Sequence, residues 1–271
     1  MLIQVDFEMA FQFAESTPIV LLTFLHPSRD QAVRNPERFS IEPHVPVARF
    51  LDCYGNRCGR AVVPSGTVVF RHDAVLEDCG LPDLQDFGAP QARVQDLPDS
   101  VLMYLLPSRY CEVDSDLKDL SWTLFRDVQP GWPRVQAVCD FTFRHIHFDY
   151  QQACPSRTAR ETFRERVGVC RDYTHLAITL CRCLNIPARY CTGYLGDIGV
   201  PRQPGPMDFS AWLEVFLGDQ WYTFDARNNI PRIGRVLMAR GRDAADVAIM
   251  TSFGVSQLQV FRVGTEEVSL S

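Results

Sequence analysis

The sequence predicts an α+β protein in two parts: a β-rich region over residues 1–112 and a second domain, 113–271, in which helices precede an antiparallel sheet. Two observations carry that prediction. Before about residue 110, short β-branched and aromatic runs alternate with Gly and Pro punctuation. Beyond about residue 113, apolar residues recur at intervals of three and four until Pro187, after which strand-like runs take over. A length of 271 residues suits one large domain or two modest ones.

In chain order, residues 18–25 are β-branched and aromatic between two prolines, and residues 45–51 alternate. Residues 52–59 (DCYGNRCG) hold the hairpin-type residues Gly55 and Asn56, and further strand-like runs follow at 60–63 and 67–71. Strands this short suggest a sandwich or barrel. Residues 80–98 are polar and rich in Pro and Gly, as a connector is. Trp132-Pro133 opens a helix through Val135, Val138, Cys139 and Phe143. A second helix is expected at 158–166 and a third at 171–184, the latter ended by Asn185 and Pro187. Strands then follow at 188–195, 210–217 and 220–225, the last two joined by the two-residue hairpin Gly218-Asp219. Residues 201–206 (PRQPGP) form a loop placed to border a groove.

Composition excludes several classes of function. Hydrophobic residues at 46% and charged residues at 22% match a folded globular chain and exclude wholesale disorder. The apolar run at 19–22 falls far short of the ~20 residues of a membrane span. The start has no basic stretch and carries Asp6 and Glu8, so no secretory signal is expected. A net charge of −6 argues against nucleic-acid binding. The 10 cysteines are then expected as reduced thiols in a cytoplasm, most of them small buried hydrophobes. Cys53 and Cys58 have only Cys79 nearby and no second C-x-x-C pair, so no metal site is expected. Phosphate-loop, dinucleotide-binding and H-E-x-x-H motifs are missing, and no cofactor is expected. Oligomeric state is not readable.

The junction Gly168-Val169-Cys170-Arg171-Asp172 places a cysteine in the first turn of the third helix. Free backbone N–H groups and the positive end of the helix dipole favour a thiolate there, and the same N–H groups suit a developing oxyanion. Gly168 permits close backbone approach. A buried structural thiol fits the position as well.

The run GVCRDYTHLAITLCRCLNIPARYCTGYL, followed by AWLEVFLGDQWYTFDAR, resembles the transglutaminase-like superfamily, in particular its bacterial members. The resemblance spans about residues 145–250, and the β-rich first part looks like the N-terminal domain found ahead of such cores. It implies a papain-like cysteine-proteinase (transglutaminase-core) fold and acyl transfer or hydrolysis of protein or peptide amide bonds through a thioester. By the same resemblance Cys170 is the nucleophile and Asp225 the orienting carboxylate. Where the family has histidine, this chain has Ser210, which has no titratable nitrogen to take the thiol proton or return it to a leaving amine. Gly168, Tyr173 and Trp212 are candidates for the oxyanion site or groove.

No histidine substitutes convincingly. His175 lies five residues past Cys170, about 140° around the helix. His145 and His147 read as surface or hinge positions, and His26, His44 and His72 belong to the first part. Asp208 reads as a turn residue ahead of the Ser210 strand. Three roles stay open: a cysteine protease or acyltransferase, an inactive fold that binds a peptide or protein, and a redox or structural thiol. The expected partner is a protein or peptide, with no nucleic acid or membrane.

Overall fold

The computed structural model describes residues 1–203 and 205–269. Six strands come first: β1 (Leu2–Phe13), β2 (Thr17–Leu21), β3 (Arg38–Glu42), β4 (Ala48–Leu51), β5 (Arg57–Val63) and β6 (Gly66–Glu77). A short α1 (Asp99–Leu102) precedes α2 (Leu117–Phe125), α3 (Trp132–His145), β7 (His147–Phe148), α4 (Ala159–Glu165), β8 (Val167–Gly168) and α5 (Cys170–Cys183). Then come β9 (Ala188–Leu195), β10 (Ser210–Leu217), β11 (Gln220–Phe224), β12 (Arg235–Gly241), β13 (Met250–Ser252) and β14 (Ser256–Val268). The α+β class expected of the sequence is what the chain adopts.

Local chemistry accounts for the element ends. Pro133 sits in the first turn of α3, where a missing N–H costs nothing. Thr158 and Glu161 form a reciprocal capping box at the start of α4. At α5 the Asp172 carboxylate accepts the Val169 N–H at 2.8 Å, placing an acid in the first turn. Gly218 turns the β10–β11 hairpin at φ +62°, as the sequence anticipates.

Three four-stranded sheets result, ordered β14-β1-β6-β3, β13-β2-β5-β4 and β11-β10-β9-β12. The first two draw on both ends of the chain. β14 pairs with β1 from Leu2↔Val268 to Phe13↔Ser256, and β13 pairs with β2. A division at residue 112/113 therefore does not separate the sheets, because residues 250–268 return to the first part. The physical reason lies in β1, whose Ile3, Val5, Phe7 and Met9 are buried and which needs a hydrogen-bonded neighbour on both sides. Several further elements went unread in the sequence, among them β1, β3, α2 and β12.

The third sheet is buried on both faces. Ala211, Leu213, Val215 and Leu217 of β10 join the core built around α5. From neighbouring strands, Tyr194, Val236 and Met238 point into the core of the N-terminal sheets. Period-two alternation thus lets one sheet serve two cores.

Gly193 of β9 lies opposite Ser210. A Cβ there would stand 2.1 Å from the Val236 carbonyl oxygen of β12, closer than any real contact. We expect Gly193→Ala to destabilise the protein by about 1–3 kcal/mol, as overpacking does. At 2–4 °C per kcal/mol for a chain of this size, the melting temperature should fall by about 5 °C in a thermal scan.

Candidate active site

Cys170 is the first residue of α5, one position earlier than the sequence periodicity suggests. Its thiol lies 4.0 Å from the Phe209 carbonyl oxygen, just ahead of β10. Thr174, one turn on, donates its hydroxyl to the Cys170 carbonyl at 2.9 Å and stiffens that first turn. The thiol borders a cavity of about 470 Å³ whose wall includes Tyr110, Cys154, Tyr190, Asp208, Ser210 and Phe261. Cys170 and Ser210 therefore meet in one space.

Asp225 does not border that cavity. It follows β11 and lines a different one, with Trp132, Gln136 and Cys139. Its carboxylate accepts from Arg235 Nη2 at 2.8 Å, Asn228 Nδ2 at 2.8 Å and the Arg227 and Asn228 N–H groups at 3.0 and 2.9 Å. Burial opposes its charge, but Arg235 and the Asn228 donors outweigh burial and hold the carboxyl below its usual range.

The groove candidates separate as well. Tyr173 is buried and donates its hydroxyl to the Ile146 carbonyl at 2.7 Å, on the core side of α5. Trp212 clusters with Cys191 and Leu237 and has the Arg235 guanidinium over its ring at 5.1 Å. Gly168 is a packing requirement: a Cβ there would sit 2.6 Å from Asp172. These three residues stand outside the thiol cavity.

At this thiol, burial works against the thiolate that the helix terminus favours. Burial first, then the Asp208 charge, push the Cys170 thiol up to about 11 against the Ala211 N–H and Arg227.

None of the six histidines borders the cavity. His175 is buried and accepts the Ala244 N–H through Nε2 at 3.1 Å, between Tyr110 and Tyr190. Burial, with Arg171 and Arg182 nearby, holds it neutral, well below the ordinary histidine range. His145 Nε2 meets the Phe163 carbonyl at 2.7 Å, and His72 bridges Glu37 and Tyr194.

Sequence reading missed Asp208 and Cys154. Burial raises the Asp208 carboxyl to about 6 despite the Phe209 N–H. Burial and then the charges of Cys170 and Asp208 push the Tyr150 hydroxyl up to about 12. Two-residue spacing between Asp208 and Ser210 was the available signal, legible only if the extended backbone begins before β10. Pro204, in the loop expected beside the groove, lies outside the described residues.

The two cavity thiols should be told apart by alkylation. Hydrogen bonds from Ser156 lower the Cys154 thiol, whereas burial raises Cys170. With a pKa near 11, only about one Cys170 in a thousand is thiolate at pH 8. Timed iodoacetamide labelling at pH 8 with peptide mapping should modify Cys154 before Cys170.

Comparison with known proteins agrees with this architecture. A protein of Mycobacterium leprae, named only as uncharacterized, is 30% identical over 104 residues, 34% of this chain and 36% of its own length. An uncharacterized protein of Mycobacterium tuberculosis is 29% identical over 236 residues, covering 78% of this chain and 73% of that protein. The crystal structure of a "putative cysteine protease" from Cytophaga hutchinsonii superposes with a TM-score of 0.85 at 27% identity, covering 100% of this chain and 92% of that one. Residues 120–226, which run from α2 to just past Asp225, match the family model described as transglutaminase-like superfamily. Over residues 120–226 the chain is thus similar to the transglutaminase-like superfamily.

Proposed function

We propose that the protein is a cysteine hydrolase or acyltransferase that attacks protein or peptide amide bonds through a thioester on Cys170. The observation that carries this reading is the placement of the Cys170 thiol at the start of α5, open to a cavity that Ser210 shares. Attack by sulfur on a carbonyl there puts the developing oxyanion beside the first free N–H groups of the helix, and the Ala211 N–H faces the sulfur. Asp225 acts at one remove, fixing the turn after β11 through Arg235 and Asn228.

The likeness to a structure named as a cysteine protease supports the same chemistry. A reducing, cytoplasmic setting suits six buried free cysteines, Cys58, Cys111, Cys139, Cys181, Cys183 and Cys191. Among the described residues no helix is long and apolar enough to cross a membrane.

A second reading is favoured by the raised thiol and the absence of imidazole from the cavity. On that reading the groove captures a peptide without turning it over. An activated ester separates the two. With p-nitrophenyl acetate the wild type should give a stoichiometric burst and an acyl adduct on Cys170 by mass spectrometry, and Cys170→Ser should give neither. A wild type without burst or adduct rejects the enzyme reading.

Ser210→His tests the family position directly. An imidazole restored beside the thiol should raise acylation by about 10²–10⁴-fold. It should also lower the pH at which Cys170 is alkylated, because imidazolium favours thiolate. Coincident pH profiles for wild type and variant would show that residue 210 is not the vacated base position.

A further inference from the structure

We infer that Asp208 takes the proton from Cys170 in place of the missing imidazole, from the wall of the same cavity and two residues ahead of Ser210. The inference rests on the acyl-transfer reading of Cys170. Geometry supports it first. The thiol is 4.0 Å from the Phe209 carbonyl oxygen, and Asp208, the residue before it, shares the cavity wall and lies near enough for its charge to act on the sulfur. The Phe209 ring is clamped by Phe7, Tyr194 and Phe261 at 5.8, 5.2 and 5.8 Å between centroids. That clamp fixes the backbone while Asp208 and Ser210 both border the cavity.

Pairing supports it next. The buried carboxylates Asp172, Glu214 and Asp225 are each held by arginines. Among the described residues Asp208 has no ion pair, which leaves its lone pairs for a proton. Burial then sets its affinity near 6, inside the range in which carboxylates serve as bases, whereas Asp225 is held below the usual range. The charged and titratable groups around this space are Cys170, Cys154, Tyr110, Tyr150, Tyr190, Arg171, Arg227 and the more distant Asp225.

The step balances without a cofactor. The Cys170 S–H proton passes to an Asp208 carboxylate oxygen as the sulfur attacks the carbonyl carbon. The bond to the leaving group breaks, the Asp208 proton goes to that group, and a thioester remains. Water then attacks, Asp208 takes its proton, and the acid leaves as the proton returns to sulfur.

Two readouts of Asp208→Asn move in opposite directions if Asp208 is the base. Removing a negative charge beside the thiol makes the thiolate easier to form, so iodoacetamide alkylation of Cys170 at pH 9 should be equal or faster. Acylation by p-nitrophenyl acetate should fall by about 10²-fold or more. The rise in wild-type acylation through about pH 6 should vanish as well.

The variant is expected to fold. A carboxyl raised from 3.8 to about 6 contributes fully to stability below the unfolded value and loses that contribution as the pH rises through about 6. Asp208→Asn should therefore melt above wild type at pH 7–8. Acylation that stays equal or quickens alongside alkylation overturns the inference, leaving Asp208 as a nearby charge. If both reactions are lost, Asp208→Glu decides: recovery of the pH 6 rise supports the inference, and no recovery overturns it. A wild type without a Cys170-dependent burst instead overturns the acyl-transfer reading beneath it.

Discussion

Enclosure of α5 is the constraint on which the rest of the structure depends. From Asp172 to Cys183 every residue of the helix is buried, including Arg182 at 1% exposure. The Arg182 guanidinium donates to the carbonyls of Ala188, Leu106 and Arg242 and to the Ser108 hydroxyl. One buried cation thus joins the C-terminal end of α5 to β9, to the segment after α1 and to the end of β12. A charge so placed tolerates no loss of its partners, and breaking such an arrangement typically costs about 3–5 kcal/mol. With its far end fixed in this way, the helix delivers Cys170 to the cavity with little freedom to shift.

The sheet behind the helix carries the second half of the design. Its inner face is apolar against α5, while its other side carries ion pairs: Glu214 bridges Arg189 and Arg240, and Arg235 bridges Asp83 and Asp225. Arginine suits this role because its planar donors engage two carboxylates at once. Arg235 ties Asp225, which follows the edge strand β11, to β12. The result is two aspartates with opposite tendencies, Asp225 fixed as an anion by its partners and the half-buried Asp208 raised by desolvation.

Ties between the two parts are polar as well as apolar. The Asn56 side chain donates to the Arg240 carbonyl at 2.7 Å and accepts the Arg240 N–H at 2.8 Å, pairing a hairpin of the first part with β12. Tyr194 of β9 meets His72 of β6 at 3.0 Å, and His72 meets Glu37 at 3.0 Å. These buried groups satisfy one another across the boundary, so the N-terminal sheets and the core position each other.

The sequence by itself determined whatever depends on neighbours in the chain. The periodicity of α3 and α5, the Thr158–Glu161 cap, strand β9 to the residue and the Gly218-Asp219 hairpin all follow from local spacing and turn chemistry. So did the pairing of a helix-start cysteine with Ser210, because family motifs are local strings. What local rules could not reach is set by distant partners. β14 is mostly exposed along its length and lacks the alternation that marks a half-buried strand, so only pairing with β1, more than 240 residues away, makes it one. The ionisation of Cys170, Asp208 and Asp225 was equally out of reach, because burial and arginine partners from other strands set it. Residue type says which groups can hold a proton, and only the packed structure decides which of them does.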